Sequence, residues 1–337
     1  MSEAPTPLTR LPRDSAGSLD LDGGTGGITA MCSCGEFLEV YKQDVTFRIK
    51  TPETIDPGRT NPHAPFVAAV ADTVGSSSPA VARVLLQGRD IVEAVIFERQ
   101  VDKAGVVQAL HSCKEAIVAC EKVALRVGVS VDAIIEEIRT GGVKRDRGGA
   151  LNPFPQVIDL DSDTTAFLIN AKRAIQLICR LPATILGVPP KDSNFDHLAN
   201  TLEASVGKDA AVTHFVRKNA PAVRYLIELR NWQEHPNAKR TVVANFSVAP
   251  DGSLTPPTWH VTGEAPQPVR DEMFAGVDFL VDIAEAMLIH LVMHAADKRI
   301  PFIIVQVDPA HADPALPMRY RLSIDPSRLT LGQGTSN

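Results

Sequence analysis

The chain has 337 residues, enough to bury one large core or two smaller ones. Apolar residues make up 44 % and charged residues 22 %, the balance of an ordinary soluble globular protein. A net charge of −6 argues against a molecule that meets nucleic acid over its whole surface. The five cysteines (Cys32, Cys34, Cys113, Cys120 and Cys179) are odd in number and suggest no disulfide framework. They fit reduced thiols, so a cytoplasmic location is expected. No apolar signal segment opens the chain, and the longest apolar run, 279–294, is interrupted by Asp282 and Glu285. No membrane contact is expected.

In chain order, residues 1–30 are rich in Pro, Gly, Ser, Thr and Asp and read as a disordered tail. Residues 31–78 read as a short strand and loop region. Val45, Phe47 and Ile49 alternate as a strand should, and four prolines mark 51–65 as a loop. A helical body is expected over 79–240, beginning at Pro79. It contains helices over 79–98, 102–127, 132–139, 162–181, 192–206 and 209–219. Ser162 is the expected N-cap of the fourth, and Pro221 is expected to open a further helix at its first turn. Val106, Val107, Leu110, Cys113, Ile117, Cys120 and Ala124 share one face, so Cys113 and Cys120 are expected as small core residues. Residues 139–149, with four basic residues, one acid and four glycines, read as a flexible basic linker.

After His235 the period changes. Strands are expected at 241–248, 258–262, 301–307 and 318–324, with a long amphipathic helix over 268–298. This last segment, 241–325, is expected to pack on the bundle, and 326–337 reads as a second disordered tail. The fold class is therefore mainly α within an α+β whole. It is a helical bundle with one small antiparallel sheet formed by N-terminal and C-terminal strands.

The densest chemistry lies in Tyr225-Leu-Ile-Glu-Leu-Arg-Asn-Trp-Gln-Glu-His-Pro236. On a helix of 3.6 residues per turn, Ala222, Tyr225, Leu226, Leu229 and Trp232 fall on one side as a buried stripe. Arg224, Glu228, Asn231 and His235 fall on the other, and Arg230 lies at the margin. Asn231 and His235 are helix-surface neighbours, and Pro236 disfavours α geometry at His235, which places the imidazole at an ending turn. Between Lys208 and Arg240 there are seven Lys/Arg and three acids, a local +4 in an acidic chain. Such a patch suits phosphate attraction.

The pattern Arg230-Asn231-x-x-x-His235 resembles the motif of the HEPN superfamily, in which an arginine, commonly followed by a polar residue, precedes a histidine by four to six intervening positions on a helical bundle. The resemblance is tight over about a dozen residues and loose over the flanking helices. It implies a metal-independent endoribonuclease, cofactor-free, working on RNA as a homodimer with a composite site. A toxin or defence setting and a protein regulator are further implications. The residues' own chemistry agrees. RNA carries its nucleophile, the 2′-hydroxyl, so cleavage needs proton transfers and positive charge at phosphorus. Histidine suits the first and arginine's planar fork the second. Asn231 is expected to orient the histidine or hold the phosphate, while Arg224, Lys239 and Arg240 are the expected substrate-binding cations. The competing expectation is a non-catalytic helical protein that uses the same surface to bind a protein partner or nucleic acid. A second constellation, His290-x-x-x-His294 with Asp297, has metal-ligand spacing but lacks the glutamate of a metalloprotease helix, since Leu291 follows His290. Cys32-Ser-Cys34 is too short a cluster to specify zinc. No metal is expected.

Overall fold

A computed structural model describes residues 12–14, 19–190, 194–235 and 238–328, the side chain of Pro309 aside. About half of the chain is helical and the rest carries small antiparallel sheets, so the α+β class holds. The chain divides into two compact units, Met1–Ala82 with Val307–Arg319, and Arg83–Gln306 with Tyr320–Asn337.

The first unit is built on a four-stranded antiparallel meander, β1 (Ala30–Cys34), β2 (Phe37–Tyr41), β3 (Thr46–Lys50) and β4 (Val67–Asp72). A two-residue turn at Gly35 and Glu36 joins β1 to β2, and Gly35 takes φ 64°, which glycine adopts without strain. One sheet face buries Val40, Phe47 and Ile49 with Val45, and Leu21, Leu38 and Ala68 pack against them. The other face carries buried Cys32, Cys34, Glu39 and Tyr41. There the Glu39 carboxylate accepts from the Tyr41 hydroxyl and pairs with Arg48 at 2.8 Å. Burial and the Glu39 charge push the Tyr41 phenol far above its ordinary range.

This sheet corrects the expectation of one strand among loops. Only β3 was expected; β1 and β4 are rich in Ala, Ser and Cys, which carry little β preference, and β2, with Phe37, Val40 and Tyr41, was missed although its residues favour a strand. The loop after β3 also holds a helical turn, α1 (Pro52–Ile55), capped by Thr51. Asp56 then gathers the backbone N–H groups of Thr60 and Asn61, at 3.0 and 2.8 Å. The expected tail is corrected in part. Arg13 is buried against Asp56 at 2.7 Å, and Leu21 packs on the core. Residues 1–11, 15–18 and 329–337 lie outside the described residues.

The second unit starts at Arg83, inside a π-helical segment spanning Ala80–Leu86, and holds α2 (Gln87–Ala94), α3 (Lys103–Gly141), α4 (Leu160–Ile178), α5 (Leu181–Leu186), α6 (Phe195–Val206) and α7 (Ala211–Glu234). Short strands β5 (Thr241–Ala244), β6 (Ser247–Val248), β7 (Leu254–Thr255), β8 (Thr258–Val261) and β9 (Gln267–Pro268) follow. They lead into α8 (Val269–Ala295), β10 (Phe302–Gln306) and β11 (Tyr320–Ile324). α3 packs on α4 and α8, α4 on α7, and α6 on α7.

Two expected helices merge into α3, which runs through Gly128. A Cβ there would come 2.9 Å from the Phe274 ring of α8, so glycine permits the close helix crossing. Cys113 and Cys120 are buried in that helix, as expected. α4 begins at Leu160 with Asp159 in the left-handed region, not at a Ser162 cap. Pro221 lies inside α7 instead of opening it. Flanking turns that bury Val216, Ala220 and Val223 hold the helix together across the missing N–H.

The expected mixed sheet is also corrected. The C-terminal strands pair among themselves as β5-β8-β9, β6-β7 and β10-β11, and the N-terminal strands pair with one another. The expected strand 241–248 breaks at Asn245. Its side chain accepts from the N–H of Val157 at 2.9 Å and donates to the Val157 carbonyl at 2.7 Å, replacing ladder bonds. α8 carries Glu285, buried to 3 % exposure against Arg83.

Candidate active site at the end of α7

α7 presents its buried side through Val223, Leu226, Ile227 and Leu229. This rotates the expected stripe. Ala222 and Tyr225 are exposed and Trp232 is half-buried, because the helix is gripped by α4 and α6 on two flanks instead of lying on one flat core. Leu226 and Leu229 were placed correctly. Arg230 keeps the predicted margin, with 23 % of its side chain exposed.

The last turn gathers the motif. Helical geometry ends at His235, whose N–H still bonds the Asn231 carbonyl at 2.8 Å while its own backbone turns out at φ −129°. Its side chain is 77 % exposed, and Nε2 stands 3.9 Å from the Glu234 carboxylate. The same carboxylate oxygen, Oε2, is ion-paired with Nη2 of Arg230, one helical turn back. Nη1 of Arg230 lies 3.4 Å from Asn231 Oδ1, and its Nε is shielded without a hydrogen-bond partner. Glu234 therefore sits between the guanidinium and the imidazole.

α4 supplies what the sequence reading missed. Lys172 Nζ lies 3.5 Å from Asn231 Oδ1, and Thr165 Oγ1 accepts from Gln233 Nε2 at 2.9 Å. Lys172 is 59 positions from Asn231, and no local pattern announces the pairing. Only the α4–α7 packing brings a second helix's cation to the motif.

The three expected substrate-binding cations part company. Arg224 is committed to Asp196 of α6, at 3.0 and 2.5 Å, and this holds the Asp196 carboxyl below its usual range. Lys239 stands 4.9 Å above the Trp232 ring, a cation–π contact at the edge of the motif turn. Arg240 is exposed, and its carbonyl accepts from Thr262 N at 3.0 Å. Pro236 and Asn237 lie outside the described residues.

The second constellation does not assemble. The His290 ring packs on Phe215 with centroids 4.9 Å apart, and burial pushes its pKa down. Asp297 is taken by Arg299 at 2.6 Å. His294 lies instead beside Glu98 and Arg99 in a separate cleft of about 370 Å³. Among the described residues, no helix is long and apolar enough to cross a membrane. Comparison with protein-family models, with curated proteins and with solved structures finds no match.

Proposed function

We propose that the end of α7 is a HEPN-like, metal-independent endoribonuclease site and that RNA is its substrate. The observation that carries the reading is the exposed His235 imidazole at the helix end, one turn from Asn231, which Lys172 approaches at 3.5 Å. In this reading His235 removes the 2′-hydroxyl proton. The freed oxygen attacks the adjacent phosphorus, the bond to the 5′-oxygen breaks, and a 2′,3′-cyclic phosphate remains. A single imidazole cannot take one proton and deliver another in the same step. Protonation of the leaving oxygen therefore falls to His235 of a second copy in a homodimer.

The test is cleavage of end-labelled RNA by the full chain with EDTA present. Wild type should give cyclic-phosphate ends, and His235→Ala should be slower by about 10²–10⁴-fold. The exposed position of His235 means the variant keeps its fold. An uncleaved RNA, or a His235→Ala variant as fast as wild type, would sink the nuclease.

One observation favours the second reading, a non-catalytic protein that binds nucleic acid or a protein partner here. Arg230 is already neutralised by Glu234 and is not open toward a phosphate. Binding of RNA without cleavage, unaffected by His235→Ala, would establish it.

A further inference from the structure

We infer that Lys172 of α4 is the cation that meets phosphate at this site, and that Arg230 is a positioning residue. The inference rests on the RNA reading above and deepens it. The Arg230 fork is already engaged on its own helix. One terminal nitrogen is ion-paired with Glu234, the other leans on Asn231 Oδ1 at 3.4 Å, and Nε is shielded from solvent. A phosphate seeking the bidentate grip of this guanidinium must displace a carboxylate one turn away on the same helix. It would then lie against that displaced negative charge.

Lys172 has no such obstacle. Among the described residues its ammonium has a single contact, the 3.5 Å approach to Asn231 Oδ1. An ammonium has three donors, so at least two remain for an anion. It is half-buried, which lowers the solvent screening of its charge without enclosing it.

Asn231 links the two cations. Its Oδ1 faces both Lys172 and Arg230, so its amide NH₂ is the end left to point at a ligand. Arg230 thus fixes the amide and holds Glu234 beside His235, while Lys172 and the Asn231 NH₂ form the anion-binding pair. With the RNA reading above, the ligand is single-stranded RNA held by its phosphate backbone at this pair.

The experiment is a salt titration. A fluorescently labelled single-stranded RNA of about 12 nucleotides is bound to the full chain between about 50 and 200 mM salt, and log K is plotted against log[salt]. A lost phosphate contact lowers the magnitude of that slope by about 0.7 for a single strand, which a purely structural residue does not do. Lys172→Gln should weaken binding and lower the slope by about that amount. Lys172→Arg should keep the wild-type slope. Arg230→Gln should leave the slope unchanged. Circular dichroism of each variant reports the fold. A wild-type slope in Lys172→Gln, with the loss found in Arg230→Gln, overturns the assignment and leaves the RNA reading standing. A wild-type chain that does not bind the RNA at the low-salt end overturns both.

Discussion

Removal of the Glu285 carboxylate tests the central electrostatic contact of the helical unit. Glu285 is 3 % exposed and accepts from Arg83 Nε at 3.1 Å, from Arg83 Nη2 at 2.5 Å and from Gln87 Nε2 at 2.8 Å. Gln87 in turn accepts the Tyr320 N–H at 2.7 Å, so the network ties α8 to α2 and β11. Glu285→Ala leaves Arg83, itself 8 % exposed, with Asp282 as its remaining carboxylate partner at 2.5 Å. Breaking one side of a buried pair costs about 3–5 kcal/mol. The surviving Asp282 contact moves the expectation to the lower end, and the lost hydrogen bond from Gln87 to the carboxylate adds about 1 kcal/mol. We expect a loss of about 3–4 kcal/mol.

Glu285→Gln keeps the shape and should lose about 1–2 kcal/mol. The double change Arg83→Met with Glu285→Leu removes both buried charges and should be less destabilised than Glu285→Ala alone. Urea unfolding followed by tryptophan fluorescence measures this cleanly, since both tryptophans, Trp232 and Trp259, belong to the helical unit. A Glu285→Ala cost under about 1 kcal/mol, or a double variant worse than the single one, would refute the reasoning.

Gly75→Ala should destabilise the sheet unit by about 1–3 kcal/mol, read as a lowered Tm by calorimetry. The added Cβ would come 2.2 Å from the Lys42 carbonyl oxygen and 2.5 Å from the Val45 nitrogen, which are backbone atoms that cannot swing aside. An unchanged Tm would contradict this packing. Asp56 should govern part of the acid sensitivity of the same unit. Hydrogen bonds from the Asn61 and Thr60 backbone, then from the Thr60 and Arg13 side chains, hold its pKa at about 2. A depressed carboxyl pKa stabilises the fold above its unfolded value and loses that contribution as pH falls through the folded value. The loss therefore belongs between about pH 4 and pH 2. Asp56→Asn should flatten the fall in stability over that window. A variant as acid-sensitive as wild type there would count against the assignment.

The sequence by itself determined where the main helices lie, though not their ends, and the local chemistry. Apolar positions recurring at the helical period mark α3, α4, α7 and α8, because burial of one face imposes that spacing whatever lies opposite. The clustering of Arg230, Asn231 and His235 on the last turn of α7 is also local, since residues four apart on a helix must be neighbours. What lay beyond local reach was decided by packing. α3 runs through Gly128 past an expected break, and the missing side chain there makes room for the Phe274 ring of α8. Asn245 ends a strand because Val157, distant in sequence, takes its hydrogen bonds. β1 and β4 form because neighbouring strands complete their ladders, not through intrinsic β preference. At the site, the pairing of Arg230 with Glu234 was open to the sequence at four-residue spacing, but which side chains share the last turn with Lys172 was not. Helix-to-helix contact is set by interlocking surfaces whose members are far apart in the chain, so only the tertiary structure placed Lys172 beside Asn231.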